Sequence, residues 1–259
     1  MLIPDHPGIV RIDLNCDMGE GMDTDEAILP FVSSVNIACG YHAGNADTMK
    51  RTVELALEYK VAIGAHPSYP DLENFGRKDI LGTTLQPEDL PAILLDQLSS
   101  LQKICEGSGA RLHHVKPHGA LYNRAAKDAN VSALICRVIR DFDPALYLYG
   151  LSGSEMKGQA DLHGLRFISE VFADRTYQED GSLTPRTEPG ALIDDPAAAI
   201  AQVLRMVAEG KVVATTGKEV ALSAGTVCIH GDGGHAVEFA RMIYRILTEN
   251  GIAIAGDLF

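Results

Sequence analysis

Seven short apolar runs recur along the chain, each closing on a cluster of chemically useful residues. Val10-Arg11-Ile12 leads into Asp13-Leu14-Asn15, Val35-Asn36-Ile37-Ala38 leads to His42, and Val61-Ala62-Ile63-Gly64-Ala65 stops at His66. Leu112 to Val115 opens onto Lys116-Pro117-His118, and Leu146-Tyr147-Leu148-Tyr149 onto Ser152 and Ser154. Phe167-Ile168 gives way to Glu170 and then Asp174-Arg175, and Val227-Cys228-Ile229 stops at His230-Gly231-Asp232. The runs are apolar almost throughout rather than alternating, as parallel strands are when both faces are covered. Parallel α/β folds gather their ligands at strand C-termini. Seven equipped strand ends therefore predict one binding mouth.

Helix-like segments fill the intervals. Asn45 is a candidate N-cap for a helix to about Tyr59, with Met49, Val53, Leu55 and Leu57 as its apolar positions. Pro87 suits the first turn of the next helix, which carries Leu90, Ile93, Leu94, Leu98, Leu101 and Ile104 and ends at Gly107 and Gly109. Asp195-Pro196 starts another, stopped by Gly210, and a further helix covers roughly Ala236 to Thr248. Two long loops, 67–85 and 173–191, each follow an equipped strand end and read as lids. The simplest architecture is α/β. It is a single (β/α) barrel domain over residues 1–259, TIM-like and distorted or incomplete, with an open doubly wound sheet as the alternative.

Charge narrows the partners. Lys and Arg number 22 against 35 Asp and Glu, a net −13. Nucleic acid needs a basic footprint, so it is excluded as a partner, and an anionic membrane surface is disfavoured on the same ground. No apolar run is long enough to cross a bilayer, and Met1 to Arg11 lacks the layout of a signal peptide. Cys16, Cys39, Cys105, Cys136 and Cys228 are scattered, without a C-x-x-C. They read as reduced thiols of a cytoplasmic protein, not as a disulfide framework or a zinc site.

Asp13 and Asn15 are two apart on a strand and point the same way. Asp13 sits between Ile12 and Leu14, where a carboxylate needs a partner or a task. His42 and His66 close successive strands. With Asp13 they form a candidate set for a divalent metal, although each alone reads equally well as a structural histidine. His114 and His118 have metal-ligand spacing for a helix, but Pro117 excludes a helical turn through them. Lys116 and His118 are therefore separate pocket candidates. Glu170 and Asp174 either pair with Arg175 or serve as base and clamp. His230-Gly231-Asp232-Gly233-Gly234 before a helix suits an anion. No P-loop occurs, since Gly217-Lys218 is followed by Glu219, and no G-x-S-x-G elbow is present.

The segments DLNCDMGEG, NIACGYHAG, IGAHPSYPD, NFGRKD, VKPHGALYN, EVFADRTYQEDGSL and IHGD occur in this order over roughly residues 9 to 240. Together they resemble the LamB/YcsF family. Tyr41 stands where phenylalanine is usual and Asn45-Ala46 where Asp-Pro is usual, and the stretch Asn74 to Lys78 varies slightly. None of these removes an acid, a base or a cation.

The resemblance implies a distorted barrel similar to glycoside hydrolase and carbohydrate deacetylase barrels. It also implies a role as the A-subunit of an ATP-dependent 5-oxoprolinase. With two further subunits, that enzyme converts 5-oxo-L-proline to L-glutamate while ATP is consumed. Asp13, His66, Lys116, His118 and Glu170 are then the catalytic candidates. Asn15, His42, Arg77, Arg175, His230 and Asp232 are the substrate-binding ones. Without a P-loop in this chain, ATP handling is expected on the partner subunits. Two alternatives stand beside it: a stand-alone metal-dependent deacetylase or amidohydrolase on a carbohydrate-like substrate, and a non-catalytic substrate-binding subunit.

Overall fold

The computed structural model describes residues 11–229 and 236–256. The chain runs β1 (Arg11–Met18), α1 (Asp25–Ile28) with a 3-10 turn (Leu29–Phe31), β2 (Ser34–Ala38), α2 (Ala46–Tyr59) and β3 (Ala62–His66). It continues through α3 (Leu90–Gly107), β4 (Leu112–Val115), α4 (Gly119–Lys127), α5 (Ala129–Phe142), β5 (Tyr147–Leu151), α6 (Glu155–His163) and β6 (Arg166–Phe172). Then come α7 (Pro196–Glu209), β7 (Lys211–Val213), β8 (Glu219–Ala221), β9 (Thr226–Ile229), α8 (Ala236–Glu249) and β10 (Ala253–Ile254).

Strands β1 to β6 pair in parallel in chain order. Strand β9 then pairs with both β6 and β1 and closes a seven-stranded barrel. Its members are the seven apolar runs. Short β10 adds to the start of β1, with Arg11 opposite Ala253. The hairpin β7–β8 stands apart as an antiparallel pair, and its turn holds the Gly217-Lys218 step. The fold is thus the TIM-like α/β barrel expected, one strand short of eight.

Local chemistry explains the element ends. The Asn45 side chain accepts from Thr48 N at 3.0 Å and caps α2, and Asp195 accepts from Ala197 and Ala198 at the start of α7. Gly210 ends α7 at φ 65°, a left-handed conformation that costs glycine little. Helix α2 buries Met49, Val53 and Ala56, but Leu57 is on the solvent side. Pro87 does not open α3. It lies in a turn closed by Asp89 N on Gln86 O, and the proline in the first helical turn is Pro91. Gly107 is still helical, and Gly109 at φ 73° makes the break.

The two long loops are tied by backbone bonds. Gly76 N donates to Asp71 O, and Gly76 O accepts from Ala120 N, which pins the first loop over the start of α4. In the second, Thr176 N donates to Ala191 O and Gln178 N to Ser182 O.

Candidate active site

Strand β1 sets the lumen. Asp13, Asn15 and Asp17 alternate inward while Leu14, Cys16 and Met18 face the helices and are fully buried. The strand runs to Met18, so Asp13 is not at its C-terminal end. At ~3.3 Å per residue, Asp17 lies about 13 Å further along. Asp13 accepts from Ser33 Oγ at 2.6 Å, Ser34 Oγ at 2.8 Å and Thr226 Oγ1 at 2.6 Å. Burial pushes its pKa up, and those hydroxyl donors work against the rise. Asp13 is a fully satisfied acid deep in the barrel, away from His42 and His66. The expected Asp13-His42-His66 metal set does not form.

Above Asp13 the lumen is filled with polar groups instead of the usual branched aliphatic layers. Asn15 Nδ2 donates to Thr226 Oγ1 at 2.7 Å and to Glu170 Oε1 at 2.9 Å. Its Oδ1 accepts from Asn36 Nδ2 at 2.7 Å and from Lys116 Nζ at 3.2 Å. His114 stacks on Tyr149 with centroids 3.9 Å apart and places Nε2 2.7 Å from Asn36 Oδ1. Gly64 makes room for that ring, since a Cβ there would lie 2.1 Å from His114 Nε2.

Lys116, just past β4, is 2 % exposed. Its ammonium donates to Asp17 Oδ1 at 2.9 Å, pairs with Glu170 Oε1 at 2.9 Å and touches Cys228 Sγ at 3.2 Å. Burial disfavours the charge, but the Asp17 and Glu170 carboxylates outweigh it and hold the Lys116 pKa well above its ordinary value. Glu170 also accepts from Tyr122 Oη at 2.7 Å. It is fully buried and pairs with Lys116, not with Arg175.

Three imidazoles and a carboxylate converge beside this lysine. His66 Nδ1 lies 2.7 Å from Lys116 O, and its Nε2 lies 3.2 Å from Asp17 Oδ2 and 2.9 Å from His118 Nδ1. His118 Nε2 lies 2.9 Å from Phe75 O, and its ring stacks on His42 at 3.8 Å. Glu20 Oε1 is 2.9 Å from His42 Nε2, 3.4 Å from His118 Nδ1 and 3.8 Å from His66 Nε2. Burial lowers the His66 pKa but Asp17 more than restores it. Burial, then His66 and His42, push His118 well down, while burial lowers His42 against the pull of Glu20. The four donor atoms of Glu20, His42, His66 and His118 lie within 4.8 Å of one another, a set able to hold a metal ion.

A cavity of about 450 Å³ opens on this cluster, lined by Asp17, Glu20, His66, Lys116 and His118 from the barrel mouth. The first long loop adds Phe75 and Arg77, and the second adds Arg175 and Ser182 to Thr187. Arg77 sits over the Phe75 ring at 4.9 Å. Arg175 is buried, and its guanidinium donates to Thr184 O at 2.5 Å and Ala191 O at 3.3 Å, tying the loop together.

The structure therefore brings His66, Lys116, His118, Arg77 and Arg175 to one cavity. His42 stands behind it against His118. Asn15 and Glu170 hold Lys116 from below, and Asp13 is more remote. His230, Asp232 and the glycine-rich start of the last helix lie outside the described residues. Asp17 and Glu20, which the sequence reading does not put among its candidates, also line the cavity. The alternation of Asp13, Asn15 and Asp17 was the available signal for Asp17. For Glu20 only its proximity to a strand end pointed the way.

The LamB/YcsF family model matches residues 12–257. A Bordetella parapertussis protein named as the A-subunit of 5-oxoprolinase is 53 % identical over 248 residues, covering 94 % of this chain and 97 % of that protein. The crystal structure of the lactam utilization protein from Thermus thermophilus is 41 % identical, with a TM-score of 0.88 over 95 % of this chain and 99 % of that one. A T48 deacetylase with substrate, 14 % identical, has a TM-score of 0.51 over 95 % of this chain and 88 % of that one, which is a likeness of fold alone.

Proposed function

The chain belongs to the LamB/YcsF family, and from that premise we propose that it is the A-subunit of an ATP-dependent 5-oxoprolinase. It opens the ring of 5-oxo-L-proline to L-glutamate together with two further subunits. The observation that carries this reading is the cavity. It joins acids, imidazoles and a buried lysine at the barrel mouth to loop arginines, at a size suited to a small anionic ring.

The lactam is a stable amide, so its hydrolysis is coupled to ATP. Transfer of the γ-phosphoryl group to the amide oxygen makes the ring carbon electrophilic. Water adds there, the ring C–N bond breaks, and the nitrogen leaves with a proton. The acyl phosphate formed takes a second water to give glutamate and phosphate. ATP handling is assigned to the partner subunits, because this chain lacks a P-loop.

Arg77 or Arg175 clamps the substrate carboxylate. Lys116 stabilises the negative charge that develops on oxygen. Asp17 or Glu20, which line the cavity, activates water, a task that Asp13 and Glu170 are too deeply enclosed to perform. His66 or His118 delivers the proton to the leaving nitrogen. Residues 1–259 act as a single barrel domain. Five buried free thiols favour a cytoplasmic setting, and among the described residues no helix is long and apolar enough to cross a membrane.

The test is glutamate release from 5-oxoproline and ATP, with this chain alone and with its partner subunits. Release is expected only from the reconstituted complex. Full rate in complexes carrying Asp17→Asn, His66→Ala or Lys116→Ala would refute the role given to these residues. The Glu20–histidine cluster favours a second reading, a stand-alone metal-dependent amide hydrolase on a carbohydrate-like substrate. Turnover of an acetylated sugar without ATP would select it. A purely substrate-binding role predicts instead that cavity variants weaken binding without slowing bond cleavage.

A further inference from the structure

We infer that Glu20, His42, His66 and His118 form a site for one divalent transition-metal ion of the zinc and cobalt class. Hydrogen-bond logic carries the argument. A neutral imidazole has one donor nitrogen and one acceptor nitrogen. The carbonyl of Lys116, 2.7 Å from His66 Nδ1, accepts only, so that nitrogen bears the proton and His66 Nε2 presents a lone pair. The carbonyl of Phe75, 2.9 Å from His118 Nε2, fixes that ring in the same way and leaves the lone pair on Nδ1. The two lone pairs then face each other at 2.9 Å, with the Glu20 carboxylate 3.4 and 3.8 Å away.

A proton on His66 Nε2, which Asp17 Oδ2 at 3.2 Å would accept, satisfies that one pair, but only a shared cation satisfies all four ligand atoms of Glu20, His42, His66 and His118 together. A backbone carbonyl on the far nitrogen is also the usual support of a metal-bound histidine. His42 adds Nε2, 2.9 Å from Glu20 Oε1, and its Nδ1 has no partner among the described residues to dictate where the proton sits. Its ring stacks on His118 at 3.8 Å and 7°, an arrangement that suits two neutral ligands and penalises two imidazolium cations.

The spacing fits an ion. Metal–nitrogen bonds of ~2.1 Å place ligand atoms about 3.0 to 3.4 Å apart in octahedral or tetrahedral geometry. The observed separations of 2.9 to 3.8 Å bracket that range, and the widest pair of the set, within 4.8 Å, would draw in by up to about 1.4 Å for a tetrahedral ion. Three imidazoles with one carboxylate select a borderline ion over magnesium or calcium, which take oxygen ligands. Gly76 packs where a Cβ would lie 2.9 Å from both His42 Cβ and His118 Cδ2, so the loop backbone holds both rings in place. Glu20, His66 and His118 line the cavity, so one face of the ion is left for water or substrate.

An ion held there would occupy Glu20, His66 and His118 as ligands and leave Asp17 as the base and Lys116 as the nearest proton source in the cavity. The metal titration does not depend on which substrate the cavity takes, so it and the 5-oxoprolinase reading can fail separately. The experiment uses the full-length chain, stripped with a chelator and titrated with Co²⁺, read by absorption spectroscopy and calorimetry. Saturable uptake of one Co²⁺ per chain is expected, with ligand-field bands that Zn²⁺ displaces. Those bands should be lost in Glu20→Gln and His66→Gln and retained in His163→Gln, which alters a histidine outside the site. Circular dichroism of each variant separates lost ligands from lost fold. If the folded wild type takes up no Co²⁺, or the folded His66→Gln and Glu20→Gln variants keep the bands, the assignment is overturned.

Discussion

Replacing Lys116 by methionine removes the cation that Asp17 and Glu170 share while keeping an unbranched side chain, one atom shorter, beside Phe172. The Glu170 side chain is 0 % exposed and that of Asp17 13 %, so Glu170 bears most of the cost. Removing one partner of a buried pair costs about 3–5 kcal/mol. Asn15 Nδ2 and Tyr122 Oη still donate to Glu170, which sets the expectation at the lower end, about 3 kcal/mol. For a chain of this length, one kcal/mol moves the melting temperature by about 2 °C, so the loss is roughly 6 °C.

Adding Glu170→Gln to that variant removes the orphaned charge. The double variant should then be more stable than the sum of the single losses by about 1–3 kcal/mol. Urea unfolding with a check that the slope is unchanged measures the cycle, and calorimetry gives the melting temperatures. A Lys116→Met variant within about 1 kcal/mol of wild type, or strictly additive losses, would refute the shared-cation account.

Gly64→Ala should destabilise the barrel by about 1–3 kcal/mol, because the new methyl group must push the His114 ring off Asn36. An unchanged urea midpoint would show that the ring yields freely. Burial, reinforced by His113, holds the His114 pKa well below its ordinary value, so the fold keeps it neutral. As pH falls below about 6.5 the unfolded chain binds a proton that the fold refuses, and stability drops by up to about 1.4 kcal/mol per pH unit. In His114→Asn the pH dependence of stability between about pH 5 and 6.5 should flatten by that amount, and an identical slope would count against it. Arg175→Ala frees Thr184 O and Ala191 O, so limited proteolysis within 176–190 should accelerate. Equal cleavage rates would mean that this guanidinium does not secure the loop.

The barrel was legible because strands covered on both sides write themselves as apolar runs. Caps at Asn45 and Asp195 were legible because their side chains bond the next turn directly. The site was less so, for a physical reason. An apolar run marks a strand only while its inward face is apolar, and here that face turns polar before the strand ends. Asp13-Leu14-Asn15-Cys16-Asp17-Met18 therefore looked like a strand end when it is the strand itself. Asp13 lies deep in the barrel, and the carboxylates of this segment that line the cavity are Asp17 and Glu20. The meeting of His66 with His118 depends on the pairing of β3 with β4 and on the extended backbone of His118 at φ −96° and ψ 149°, which spacing along the chain does not reveal.

The polar column from Asp13 through Thr226, Asn15 and Lys116 to Asp17, His66 and His118 has a consequence for re-engineering. In many (β/α) barrels a pocket travels with its loops, and the staves beneath are interchangeable scaffolding. Here the working groups are braced from inside the staves, so grafting the two long loops onto another seven-stranded frame would carry the rim without the footing that holds the lysine upright. Transplanting this pocket means moving the lumen with it.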